Sequence, residues 1–575
     1  MWLVSNVLQV KNAYPEIPLL QLSDFFVFSD EPLISDETNN HWFVNGFLTL
    51  RNENNQLIRE SSNKEIILFC NRKYKDSFID KIKGNFIIGH IEDKQVRLYS
   101  DRFSIKKFFY WTEGTSFIIS NSLHEIARHV KLKISAEALA VYTLLYHFTG
   151  GSTLFQNVKH NQPGQVLTIK NGQINESYYW KPEMLFKVPK EKTSIQEISS
   201  ALIGSVKETL KSTGEDKISL SLTGGADTRN LLAVFLKLGI KPHLYTYGNP
   251  LASDCVKASE IASGLGLEHN IYDIKMNAEL FETYARKIIS SSGGLASIHR
   301  AHRLMAVEKE RKYANKMFLG TLGGEFVKGV STGDYIVPAM VFENWNQQEI
   351  TNEIIQKYAK RKELKLENFD NDSLLSFLNN EPYFIGSENI RKLNALSFIT
   401  AHLHDTQDIN LYKTVMEEVY TPFLDIDYLE VLFSSRYSFE VKQEVKNKYL
   451  RQIENPVYAS KFLKVTYPAL TKFPYAGSYS PSEVLISKYY ATYLKLFRNK
   501  TRKNSPPTFP LGQWMELFVK KNLPACKEFD VLNSIFDIDQ LLLELKKSEH
   551  KPSETYWLKF TNPIMMRLII EEFIQ

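Results

Sequence analysis

Cysteine is almost missing: Cys70, Cys255 and Cys526 are the only three in 575 residues, and they lie far apart. With no CxxC pair and no Cys/His cluster, nothing supports a disulfide framework or a structural zinc centre. A large charge of one sign is also lacking. The excess of +5 is small for this length, which argues against gripping nucleic acid as the main task. No run of about 18 apolar residues occurs, so no membrane partner is expected. The opening MWLVSNVLQVKNAYPE has no basic head, apolar stretch and small-residue cleavage site, and a cytoplasmic location is expected. Two common nucleotide signatures, GxxxxGK[ST] and GxGxxG, are absent as well.

The composition that remains, 43% apolar and 23% charged, is that of a globular chain, and its length calls for two or more domains. Residues 1–186 read as strand-rich α+β. Short runs at 42–51, 65–70 (EIILFC), 85–91, 95–100, 106–111 and 116–121 are separated by polar turns. A helix over 136–148 follows, then strands at 163–169 and 176–180 joined through NGQ at 171–173. The polar run KVPKEKTS (187–194) reads as a linker. From 195 to 575 the character changes. Strands at 217–222, 243–248 and 269–274 alternate with helices at 229–239 and 254–266, the pattern of a parallel βαβ sheet that KMFLG (316–320) would join. Beyond about 340 the chain looks mainly helical, with a basic, Pro-containing break at 498–510.

The stretch SLTGGADTRN (221–230) lies where the first parallel strand would feed its helix, and open parallel sheets bind ligands beyond such carboxyl ends. Unpaired N–H groups at the helix start favour an anion. Gly224 and Gly225 would admit phosphate oxygens, and Thr223 and Thr228 would donate hydroxyls. Asp227, awkward beside phosphate, makes sense as an Mg²⁺ anchor. The competing explanation is an ordinary turn with Asp227 as a cap.

The loop is similar to SGGxDS, the pyrophosphate loop of the ATP-pyrophosphatase superfamily, with Thr for both serines. Ordered landmarks over most of the chain resemble the asparagine synthetase family. They are GNF (84–86), LYSDRFSIKKFFYW (98–111), FIISNSLHEI (117–126), KHNQPGQVLTI (159–169) and ESYYW (176–180) in the first half. TYG (246–248), Asp254 with its following helix, LGTLGGEFVKG (319–329), EVYTPFLD (418–425) and NKYLRQ (447–452) continue the series. This resemblance implies an α/β protein. A Ntn-hydrolase-like domain of layered antiparallel sheet would precede a parallel-sheet ATP-pyrophosphatase (adenine nucleotide α-hydrolase-like) domain with a helical C-terminal part. It further implies ATP and Mg²⁺. Adenine would lie against Leu222, Tyr247 and the Leu319–Gly320 backbone, with metal on Asp227 and Glu325 and catalytic roles for Lys472 and Glu325. The implied reaction adenylates a carboxylate, releasing pyrophosphate, and joins it to an amine.

Three departures carry information. Amidotransferase members begin with Cys directly after the initiator Met; here the residue is Trp2, and indole cannot replace a thiolate nucleophile. The expectation is therefore ligation without glutamine hydrolysis, as in β-lactam synthetases and lasso-peptide cyclases, on a small-molecule or peptide substrate bearing a carboxylate and an amine. Gly324 stands where the family has a metal-binding Asp, and Tyr420 replaces Arg in EVRVPFLD; Asp425 of that segment reads as structural. HRAHR (299–303) would place His299, His302 and Arg303 on one helical face, with Arg300 and Arg303 as candidate contacts to an acidic substrate or, alternatively, as a solvated face. Trp2 and Gly324 also motivate another class of function, a catalytically degenerate nucleotide-binding relative or scaffold. A tRNA-thiolating activity is disfavoured by the scarce cysteines. A homodimer is compatible with the sequence.

Overall fold

In the computed structural model, the strand-rich first part forms two antiparallel sheets packed face to face. The described residues are 62–92, 94–145, 148, 150–214, 217–320, 323–328, 363–365, 404–438, 448–476, 479–497, 505–547 and 554–574, with 1–50 apart from 8, 9, 11, 12, 15–18, 22–24, 38 and 39. The strands are β1 (Trp2–Ser5), β2 (Leu19–Gln21), β3 (Phe26–Ser29), β4 (Ile34–Ser35), β5 (His41–Leu50) and β6 (Ile82–Glu92). They continue with β7 (Gln95–Ser100), β8 (Phe109–Glu113), β9 (Ser116–Ser120), β10 (Val158–His160), β11 (Gln165–Lys170) and β12 (Gln173–Tyr178). One six-stranded sheet has the order β10-β8-β9-β1-β3-β2 and the other β12-β11-β7-β6-β5-β4. Period-2 alternation puts Trp2, Val4 and Val27 of the first against Phe43, Ile87 and Leu98 of the second in a dry inner core. The β11–β12 hairpin turns on Asn171 and Gly172, both at positive φ (51° and 72°), as a tight hairpin requires.

One expected strand is a helix. EIILFC lies within the helix Asn63–Tyr74. A capping box closes its start, with Ser62 Oγ accepting from the Glu65 N–H and Glu65 accepting from the Ser62 N–H. Ile66, Ile67 and Cys70 then bury one face against Trp42 and Val44 of the second sheet.

The second part holds the parallel sheet. Its strands are β13 (Ile218–Ser221), β14 (His243–Tyr247), β15 (His269–Tyr272), β16 (Lys316–Phe318) and β17 (Glu418–Tyr420), in the order β15-β14-β13-β16-β17. Every neighbouring pair is parallel. Helices Asp227–Lys237, Ser253–Leu265 and Ala278–Ser292 follow β13, β14 and β15; the latter two end on Gly266 and Gly293 in the left-handed conformation. Two elements were not legible in sequence: the helix Ile195–Thr213, which a Ser194/Glu197 capping box opens, and the short edge strand β17. The polar run before that helix is pinned rather than loose. Lys190 Nζ donates to the Phe433 carbonyl (2.6 Å) and the Glu191 N–H to that of Ser434 (2.9 Å).

A buried ion cluster joins the two parts. Lys83 of β6 pairs with Glu208 at 2.9 Å, Asp425 at 3.6 Å and Asp427. Beside it, Tyr420 packs between Phe47 (5.3 Å) and Phe318 (5.1 Å). The Arg-to-Tyr exchange thus gives an aromatic contact between the halves. Asp425 is structural, as the sequence reading held: it also caps the helix Ile426–Ser434. Among the described residues no helix is long and apolar enough to cross a membrane.

Candidate functional site

Beyond Ser221 the β13 ladder persists for one residue. The Leu222 N–H donates to the Tyr245 carbonyl at 2.8 Å, and the Leu222 carbonyl accepts from Thr246 Oγ1 at 2.6 Å. The chain then turns on its glycines. The Gly225 N–H donates to Thr223 Oγ1 (3.1 Å), the Thr223 N–H to Thr228 Oγ1 (3.4 Å), and the two threonine hydroxyls stand 3.5 Å apart. The N-cap of the following helix is Ala226, with no side-chain cap, so Asp227 is its first helical residue and not a cap. That leaves first-turn N–H groups for an anion.

The parallel sheet brings the other expected nucleotide contacts to the same edge. Tyr247 ends β14; Leu319 extends β16, its N–H donating to the Tyr420 carbonyl at 2.8 Å. Gly320 lies so close to the loop helix that a Cβ there would stand 2.8 Å from the Thr228 Cα. Only glycine permits that approach.

Sequence reasoning missed the other wall. Arg229 is fully buried; its Nη1 and Nη2 donate to the carbonyls of Phe473 (2.6 Å) and Pro474 (3.0 Å), and its guanidinium lies 4.6 Å from the Tyr475 ring centre. Burial lowers its pKa to about 10. Next in the segment, the Ala476 N–H donates to the Gly224 carbonyl (3.1 Å), and Ser253 Oγ to that of Ala476 (3.0 Å). A Cβ on Gly224 would stand 2.9 Å from the Ala476 Cβ and 3.1 Å from Asp254 Oδ1, so a second carboxylate borders the loop. Burial pushes the Tyr475 phenol up to about 12; Arg229 opposes the rise and Asp227 adds to it. Tyr428 and Tyr458 also feel the Asp227 charge. The only sequence signal for Arg229 was an arginine just ahead of the apolar run that starts at Leu231.

Past Tyr247 the site closes with aromatics. Phe509 lies 6.2 Å from Tyr247, and His302 lies 4.4 Å from Phe509 and 6.1 Å from Trp514. The backbone before Phe509 lies on Gly248, at φ +127°, and the Asn249 N–H donates to the Thr508 carbonyl at 2.6 Å.

The expected helical face of HRAHR does not form. Ile298–Arg300 is a 3₁₀ turn, and the helix starts only at Ala301. Consequently His299 turns to Thr561 (2.7 Å) and His302 joins the aromatics, while Arg300 and Arg303 (3.4 Å) both pair with the buried Asp408. These arginines thus meet a carboxylate of the chain itself.

Lys472 is exposed. The Phe473 ring docks at Gly264, near the far end of the helix that Asp254 opens, and leaves Lys472 exposed with its ammonium 5.4 Å from that ring. Gly324 is buried at the start of the short helix Glu325–Lys328; the Glu325 side chain lies outside the described residues. In the first half, Trp2 is wholly buried against Phe43 (5.3 Å) and Phe108 (5.7 Å). Cys70 is buried on its helix, its thiol pushed up to about 12 by burial, and serves packing rather than chemistry.

Residues 22–180 match the model of a glutamine amidotransferase domain. The chain is 22% identical over 472 residues to asparagine synthetase [glutamine-hydrolyzing] 3 of Bacillus subtilis (strain 168), covering 76% of this chain and 74% of that protein. Over most of its length the chain is thus similar to asparagine synthetases. A second similar protein, the putative asparagine synthetase [glutamine-hydrolyzing] 2 of Methanocaldococcus jannaschii, is 21% identical over 212 residues, 36% of this chain and 41% of its own length. The match therefore spans about two fifths of that protein. Among solved structures, NMN synthetase from Francisella tularensis aligns with 37% of the chain and 96% of its own, at 13% identity and a TM-score of 0.21, a likeness too slight to carry weight.

Proposed function

We propose that the chain is an ATP-dependent ligase that activates a substrate carboxylate as its acyl-adenylate and joins it to an amine, without hydrolysing glutamine. The observation that carries this reading is the uncapped helix start after β13, where Gly224, Gly225, Thr223 and Thr228 face an anion site next to Asp227. Loop N–H groups and threonine hydroxyls bind the β,γ-pyrophosphate, and Leu222, Tyr247 and Leu319–Gly320 border the adenine. Buried behind the loop, Arg229 adds positive potential where negative charge develops.

The donor set fits Mg²⁺: Asp227, and Asp254 beside Gly224, supply the hard oxygen ligands it prefers. Bound there, Mg²⁺ would supply charge neutralisation of the phosphates. The substrate carboxylate attacks the α-phosphorus, the bond to the bridging oxygen breaks, and pyrophosphate leaves. The amine then attacks the acyl carbon, AMP leaves with the C–O bond electrons, and the amine proton passes to solvent. Trp2 leaves no thiolate to release ammonia, so the nitrogen arrives as an amine on the substrate or on a second one, small molecule or peptide. Isotope exchange between pyrophosphate and ATP, screened with pools of carboxylic acids, tests the reading. Exchange lost in Asp227→Asn with the fold intact is expected; unchanged exchange refutes it.

A second reading, a nucleotide-binding relative without catalysis, is favoured by Gly324 and by the outward Lys472. Tight ATP binding with no AMP from any pool would establish it.

A further inference from the structure

A cavity of about 240 Å³ opens between the two halves of the chain. Asn45, Lys106, Lys107, Phe109 and Asn121 line it from the antiparallel sheets, and Ser291, Ser292 and Asn410 from the other side. That is room for about eight waters at ~30 Å³ each. Its charge is unbalanced. Among the described residues neither Lys106 nor Lys107 has a carboxylate within ion-pair distance; Lys107 Nζ donates only to Ser104 Oγ, at 3.1 Å. The neighbours of Lys106 are Lys413, which pairs with Glu418 at 3.0 Å, and the more distant Glu31, which accepts from Asn45 Nδ2 at 2.6 Å. Those of Lys107 are Asp101, whose carboxylate is committed to the N–H groups of Phe103, Ile105 and Lys106, and His160.

Both ammonium groups lose hydration at this half-open space. Burial lowers Lys106 to about 7, with Lys413 adding to the fall, and Lys107 to about 8. The rest of the lining is neutral and rich in hydrogen-bonding groups. Asn121 Oδ1 accepts from the Trp2 N–H (3.2 Å), and its amide NH₂ has no protein partner among the described residues. Two cations and a free amide donor around one small space make a complementary surface for a doubly charged oxyanion.

We propose that this cavity binds a small dianion, a dicarboxylate or a phosphate, held by Lys106, Lys107 and Asn121 and bridging the two halves of the chain. The site does not depend on the ligase reading, and no bond is made or broken in it. Occupancy would fasten the antiparallel sheets to the helix Ala278–Ser292 and to the segment carrying Asn410.

Calorimetric titration of the full chain at pH 6.5 with succinate, inorganic phosphate and, as a neutral zwitterion of similar size, glutamine tests the proposal. Saturable binding of succinate or phosphate is expected, and which of the two binds identifies the class; glutamine should give no signal. Lys106→Met and Lys107→Met should each weaken the dianion at least tenfold while the melting temperature holds or rises, since each removes an ammonium group that has lost hydration. Asn121→Leu, just past β9, should weaken it as well. Raising the pH from 6.5 to 9 should weaken wild-type binding as both ammonium groups lose their protons. Binding of neither anion, glutamine binding as tight as the anions, or undiminished binding in both lysine variants would overturn the proposal.

Discussion

The Arg229 guanidinium lies 4.6 Å from the Tyr475 ring centre while its two terminal nitrogens hold the carbonyls of Phe473 and Pro474. One buried side chain of the glycine-loop helix thus fixes the segment whose Ala476 rests on Gly224. Arg229→Met would strand two carbonyls and remove a charge-assisted pair, a loss of about 3 kcal/mol. Urea unfolding should show it, and Arg229→Lys should recover only part, because an ammonium lacks the planar fork. Full recovery by lysine would mean that charge alone matters.

Restoring a cysteine at the start of β1 should not restore an amidotransferase. Trp2 is a core residue between the sheets, and Trp2→Cys empties its volume at a cost of about 3–5 kcal/mol, by analogy with Trp→Ala truncations. The expected outcome is a lower melting temperature and no glutamate released from glutamine.

Removing Lys83 leaves Glu208, Asp425 and Asp427 together without their shared cation. Lys83→Met is expected to cost about 3–5 kcal/mol. Burial already raises the Asp425 pKa, and Lys83 opposes that rise. Without Lys83 protonation becomes easier, so the loss should be larger at pH 8 than at pH 5. Chemical denaturation at both values measures it.

Three histidines are held neutral in the fold. Burial lowers His90 to about 4, His160 to about 3 and His269 to about 4, against 6.5 for an ordinary imidazole. Unfolded chains take up these protons first, so the stability is fully present above pH 6.5 and drains away as pH falls toward 4. Each group contributes up to about 1.4 kcal/mol per pH unit in that window. The urea midpoint should fall between pH 7 and 4.5, and His90→Phe should flatten the slope.

The regular parts of this architecture were readable from period and turn residues. The alternation around TGG located the parallel sheet and the loop, and NGQ located a hairpin. EIILFC misled because five apolar residues in a row look alike in strand and helix; the Ser62/Glu65 pair three apart was the deciding signal. β17 is three residues long and pairs with a strand about a hundred positions earlier, so no local pattern marks it. The HRAHR face failed because helical spacing was assumed across a 3₁₀ turn. Lys472 was placed by spacing from a landmark, and the docking of its neighbour Phe473 at Gly264 had no signal in the sequence. The lysine cavity exists only where two distant stretches meet, and adjacent lysines in sequence say nothing about that.

The order of strands in the parallel sheet bears on how the protein is made. β16 leaves the ribosome long before β17, its outer partner, so during synthesis β16 is an unpaired edge, open to pairing with another chain. A chain stopped before Glu418 would keep that edge, and Phe47 would lack Tyr420. Truncated products are therefore the forms expected to aggregate, and a stalled ribosome is the point of greatest exposure.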